Sequence, residues 1–111
     1  MECEETRWSG GVILRLVGRL DASTAAGVET KLLGLIAAGD IHLILDCTGL
    51  EYLSSAGLRV MLMAAKRLKG GDGEMALAGL RDPIKEVLDI AGFSALFRTY
   101  GTVDQARAAR R

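Results

Sequence analysis

Apolar positions in this chain alternate between two periods. Residues 12–17 and 41–46 are short, nearly continuous apolar runs of the kind that form buried strands. Between them, Val28, Leu32, Leu35 and Ile36 recur at helical spacing, and Leu58, Met61, Leu62, Ala65 and Leu68 do so after the second run. Ser9, Gly10 and Gly11 form a turn signal, so residues 4–8 and 12–17 read as a hairpin with a polar outer strand. Ser23 or Thr24 is placed to cap the first helix, and Gly39 to end it. A strand, a helix and a strand with short connections predict a right-handed crossover between parallel strands.

The second half repeats the pattern. Gly70 is the expected C-cap of the helix that carries Leu58 to Leu68, with Lys66, Arg67 and Lys69 complementing its dipole. Residues 74–80 read as a strand. Asp82 then caps a helix with Pro83 at its first position and Ile84, Val87, Leu88 and Ala91 at core spacing, and Gly92 stops it. Residues 96–100 form a last short strand, and Thr102 with Gln105 makes a capping-box start for a helix through Ala109. The predicted fold class is α/β, with a small mixed sheet of about five strands, a parallel core plus the N-terminal hairpin, and about four helices mainly on one face.

A length of 111 residues fits a single domain over residues 1–111. Half the residues are hydrophobic but 5% aromatic, so the core is expected to be aliphatic. Fourteen basic and fourteen acidic residues cancel, which argues against broad electrostatic binding to nucleic acid or an anionic membrane. Arg107, Arg110 and Arg111 give the C-terminus a local basic bias that reads as a solvated helix end. The apolar stretches are too short to cross a bilayer, and Glu2, Glu4 and Glu5 stand where a signal peptide would be basic, so a cytoplasmic protein is expected. Cys3 and Cys47 form no CxxC. Cys47 reads as a small core residue and Cys3 as a free thiol. His42 reads as structural, and Trp8 as packing at the sheet edge.

Catalytic chemistry is hard to assemble from these residues. His42 opens its strand while Ser54 and Ser55 lie beyond the other end, so a Ser-His pair is not expected. Asp21 and Asp46 are read at the C-terminal ends of parallel strands, where they cap loops rather than form a two-carboxylate metal site. The glycines at 70, 71 and 73, with Asp72 and Glu74, superficially resemble the GGDEF signature of diguanylate cyclases, but here they only join a helix to a strand. No GxxxxGK or GxGxxG is present. No enzyme activity, cofactor or metal is expected.

One short polar hinge is chemically suggestive. Ser54 is the better N-cap for the helix carrying Leu58, which places the Ser55 hydroxyl in the first turn beside free backbone N–H groups. The positive end of the helix dipole favours a phosphate there.

Residues 43–58 resemble the core of a STAS domain, the sulfate transporter and anti-sigma factor antagonist family. Gly18, Arg19, Leu20 and Asp21 resemble the family's Gly-x-Leu-Asp, and residues 82–91 with Gly92 and Phe93 match its later segment. The resemblance spans almost the whole chain. In the bacterial antagonists the pattern is Asp-Ser-(Ser/Thr)-Gly, and the hydroxyl after the Asp is phosphorylated. Aligned on Gly57, that residue is Ser55, while Ser54 replaces the family's Asp and Ala56 its second hydroxyl. The resemblance implies an unphosphorylated form that binds a GHKL-type serine kinase doubling as an anti-sigma factor. Phosphorylation of Ser55 would abolish binding and a serine phosphatase would restore it. Asp21, Thr48, Ser54, Ser55, Gly57 and Arg59 are the expected partner-facing residues, with Arg59 contacting partner or phosphate. The alternative is a STAS scaffold subunit of a membrane transporter complex that is never phosphorylated, with Ser55 only a cap or contact. The mixed, basic outer side set by Arg59, Lys66 and Arg67 favours the switch.

Overall fold

The structure, a computed structural model, describes residues 1–109; Arg110 and Arg111 of the basic C-terminus lie outside them. In chain order the elements are β1 (Glu2–Trp8), β2 (Gly11–Leu20), α1 (Ala25–Ala37), β3 (His42–Leu53), α2 (Ser55–Gly70), β4 (Glu74–Ala78), α3 (Asp82–Ile90), a 3-10 turn (Ser94–Leu96), β5 (Arg98–Tyr100) and α4 (Val103–Ala108). They form a five-stranded sheet in the order β1-β2-β3-β4-β5. The β1–β2 hairpin is antiparallel and the other pairs are parallel. This is the mixed α/β architecture the apolar pattern predicts.

Period-two alternation divides the strands between two cores. Val12, Leu14 and Leu16 of β2, Leu43, Leu45 and Cys47 of β3, and Met75 and Leu77 of β4 face α1, α2 and α3 in one buried cluster. Ile13, Ile44, Ala76 and Ala78 point the other way and pack with Ala106 of α4, half-buried Trp8, Tyr100 and Val103. Three helices thus cover one face and α4 covers part of the other. A side chain such as Leu45, fully buried, stabilises the fold by roughly 1.5–3 kcal/mol. Burial also pushes the Cys47 thiol up to about 12, leaving it inert in the core.

At the end of β1, Arg7 holds Asp40 through two bonds, Nη1 to Oδ1 at 2.9 Å and Nη2 to Oδ2 at 3.0 Å. The hydrogen bond from Arg7 keeps the Asp40 carboxyl below its ordinary range. Its contribution to stability is therefore present above the unfolded carboxyl pKa and is lost as pH falls through the lowered one.

Several boundaries differ from the sequence expectation, each for a local reason. Asp46 is interior to β3, which runs on to Leu53 because the long β2 strand keeps pairing with it through two register shifts. Thr24 occupies the N-cap of α1 without capping it, because its Oγ1 donates to the Arg19 carbonyl at 2.8 Å and accepts from the Asp21 N–H at 2.9 Å. The cap of α3 is Arg81, one residue before Asp82; its carbonyl accepts from the N–H groups of Ile84 and Lys85 at 3.0 Å each. Gly70 is the last residue of α2 and Gly71, rather than Gly70, is its C-cap. β4 stops at Ala78, where Gly79 takes φ +71° against Thr48, and the 3-10 turn shortens β5. Thr102 Oγ1 accepts from the Gln105 N–H at 3.1 Å as expected, but Gln105 Oε1 reaches back to the Gly101 N–H at 3.0 Å.

Only one stripe of α3 reaches the core. Ile84 and Leu88 are buried, whereas Val87 is 55% exposed and Ala91 lies on the surface, contrary to the spacing argument. Leu88→Ala should therefore cost about 2–5 kcal/mol in urea unfolding, and Val87→Ala less than about 0.5 kcal/mol. Equal losses would place Val87 back in the core.

Candidate functional site

The end of β2, the end of β3 and the start of α2 meet at one corner of the sheet. Arg19 pairs with Tyr52 and Leu20 with Leu53, so both strands finish in register. Immediately beyond, the Ser54 N–H donates to the Leu20 carbonyl at 2.9 Å, which fixes the chain as it leaves β3. Ser54 is extended, with φ −89° and ψ 171°, and its Oγ accepts from the Gly57 N–H at 3.2 Å. It is the N-cap read from the sequence.

Gly57 lets the helix approach this closely. A Cβ there would sit 2.6 Å from Leu20 Cγ and 2.9 Å from the Leu20 carbonyl oxygen, closer than real side chains come. Ser55, by contrast, is exposed and its hydroxyl makes no hydrogen bond among the described residues. The N–H groups of Ser55 and Ala56 sit at the first two helical positions, where no intrahelical carbonyl can receive them. Arg59, one turn on, is exposed and forms no ion pair among the described residues. Asp21 follows Leu20. Its Oδ1 accepts from the Ser23 N–H at 2.9 Å and from Ser23 Oγ at 2.6 Å, and these bonds hold the carboxyl below its ordinary range.

The structure therefore brings Asp21, Ser54, Ser55 and Gly57 to one corner, with Arg59 a turn further along α2. Thr48 lies back along β3, about 16 Å of strand before Leu53. There its N–H and Oγ1 donate to Asp46 Oδ1 at 3.1 and 2.7 Å, and Arg81 Nη2 approaches its carbonyl at 3.4 Å. Asp21 and Asp46 both act as local caps for the hydroxyl residue two positions on, as read from the sequence. His42 opens β3, at the opposite end from this corner.

Two residues at the corner were not singled out by sequence reasoning. The Arg19 guanidinium lies 4.2 Å above the Tyr52 ring, and its Nε is 3.7 Å from Asp21 Oδ2. Their pairing depends on the β2–β3 register, which is not visible along either strand alone.

The sequence matches the STAS domain family model over residues 5–106. The chain belongs to the STAS domain family. This STAS domain is 36% identical over 100 residues to BtrV of Bordetella bronchiseptica, which carries the provisional name of an anti-sigma factor antagonist; the match covers 90% of this chain and 86% of BtrV. Its fold is similar to the crystal structure of an anti-sigma factor antagonist from Mycobacterium paratuberculosis, with a TM-score of 0.91 at 22% identity, covering 99% and 93% of the two chains. It is also similar to Bacillus SpoIIAA solved in the phosphorylated form, with a TM-score of 0.79 at 20% identity, covering 99% and 100%. No helix among the described residues is long and apolar enough to cross a membrane.

The two serines are predicted to separate in stability. Ser54→Ala should cost about 1 kcal/mol, because it removes the cap from the Gly57 N–H, and Ser55→Ala should stay within about 0.5 kcal/mol. Gly57→Ala should cost about 1–3 kcal/mol through its clash with Leu20. Thermal and urea unfolding of the three variants checks this, and a larger loss at Ser55 than at Ser54 would reverse the assignment of the cap.

Proposed function

We propose that this STAS domain is an anti-sigma factor antagonist that acts in the cytoplasm as a binding switch, with Ser55 as its phosphate acceptor. One observation carries the reading: of two adjacent hydroxyls at the corner, Ser54 is occupied as the helix cap, while Ser55 is exposed and unengaged. The likeness to named antagonists, and to a SpoIIAA fold solved in its phosphorylated form, supports it.

The unphosphorylated corner binds an anti-sigma factor that is also a GHKL-type serine kinase. Asp21, Ser54, Ser55 and Arg59 form the partner-facing set at the corner; Gly57, expected among them, is buried against Leu20 and sets the helix position, and Thr48 lies about 16 Å back along β3. A phosphate on Ser55 adds about two negative charges and three strong acceptors to that surface. Burying such a group against a partner is costly, so the complex dissociates. The helix stays folded, because its N-terminal N–H groups and dipole favour an anion. A serine phosphatase then restores the binding form. This chain supplies a hydroxyl and a docking surface, and the bond-making group belongs to the kinase.

Ser54 stands where the bacterial antagonists carry Asp. The exchange removes a like charge beside the future phosphate and leaves the acceptor in place.

A pull-down from host lysate with wild type, Ser55→Ala and Ser55→Asp as baits, read by mass spectrometry, tests the reading. A GHKL-type ATPase should be retained by wild type and Ser55→Ala and lost with Ser55→Asp. Retention of the same transporter components by all three baits would replace the switch with a scaffold.

A further inference from the structure

Beside the Ser54 and Ser55 corner, β2 and β3 present an exposed cation on an exposed ring. Arg19 and Tyr52 are register partners, the guanidinium carbon lies 4.2 Å above the ring, and Tyr52 is 42% exposed. The backbone beneath is held, since the Arg19 carbonyl accepts from Thr24 Oγ1 at 2.8 Å and the next carbonyl, that of Leu20, from the Ser54 N–H. Stacking orients the guanidinium plane without using its donors. No donor of the Arg19 side chain makes a hydrogen bond among the described residues. Asp21 offsets part of the charge through an ion pair, its Oδ2 3.7 Å from Arg19 Nε, but that spacing is beyond hydrogen-bond reach and its Oδ1 is taken by Ser23, so the guanidinium donors stay open.

From this we infer that the Arg19 and Tyr52 pair is a docking anchor for an acidic side chain of the protein that binds the corner. An oriented guanidinium with open donors matches a carboxylate in two parallel bonds, which a lysine or a backbone carbonyl cannot reproduce. The tyrosine ring supplies rigid apolar area against which the carboxylate's stem packs, and Arg and Tyr are the residue types that dominate interface energetics. Arg59 adds a second positive charge at the same corner, while Asp21 and the exposed neighbour Glu51 are the opposing charges. The anchor therefore selects partners by charge: an acidic residue opposite Arg19 is accepted, and a basic one is rejected.

The inference rests on the corner being a docking surface, and two measurements separate them. In the first, the labelled full chain is titrated in NMR with a capped hexapeptide of alternating Glu and Gly and, separately, with its Gln and Gly twin. The Arg19 Nε–H and Tyr52 ring resonances should shift saturably with the Glu peptide only. Arg19→Gln should abolish the response, and Lys69→Gln, at an exposed position at the far end of α2, should preserve it. No shift at Arg19, or equal shifts with both peptides, overturns the anchor. In the second, affinity is measured for the purified ATPase retained by the Ser55→Ala bait. Arg19→Glu should weaken it by at least about tenfold, and Arg19→Lys should restore only part. If Arg19→Glu binds like wild type while Ser55→Asp does not, the anchor is wrong and the switch stands. If no ATPase is retained but the Glu peptide still seats on Arg19, the switch is wrong and the anchor stands. Arg19 is a surface residue, so circular dichroism of each variant should match wild type.

Discussion

The parallel pairing of β2 with β3 is the constraint on which the corner depends. The two strands remain paired, through two register shifts, as far as Leu20 and Leu53, well past the point where β4 stops at Ala78. That overrun carries the Leu20 carbonyl to the Ser54 N–H, and it sets Leu20 against Gly57 so closely that only a hydrogen is accommodated. Were β3 to slip by one residue, Leu20 and Leu53 would lose their shared face and the helix start would turn away from the sheet.

The hydroxyls beside this contact divide the labour. Ser54 is committed to the fold through its bond to the Gly57 N–H. Ser55, one residue on, contributes nothing comparable, so its chemistry is available without cost to the helix. A charge placed there falls where the helix dipole tolerates an anion, and under the proposed switch it is one that a docked protein would not accept. Regulation at such a place needs a change of charge and no change of shape. On the neighbouring strands, the Arg19 and Tyr52 pair sets an exposed cation over a ring beside the same β3 to α2 turn.

Much of this was legible in the residues. The alternation of apolar runs with helical spacing announced the crossover and the parallel centre, because a strand buried on both faces has no polar positions to spare. Ser54 as cap and Ser55 in the first turn followed from the break between Leu53 and Leu58. The errors have a common cause. Val87 and Ala91 sit at core spacing yet face outward, because α3 has the sheet on one side only and the single row of Ile84 and Leu88 suffices. Thr24 has the right chemistry for a cap, but tertiary contacts with Arg19 and Asp21 claim its hydroxyl. Asp46 looked like a strand end because the polar residues after it interrupt the apolar run, whereas pairing with β2 continues the strand regardless.

By itself, then, the sequence determined the order and type of the elements, the aliphatic character of the core, and the hydroxyl pair at a helix start, since each depends on residues within one or two turns of one another. The tertiary structure decided how far β3 extends, which face of α3 is buried, and that Arg19 stacks on Tyr52. These depend on register and on what lies across the sheet. A one-residue change in strand pairing would reverse the faces while leaving the local pattern of residues unaltered.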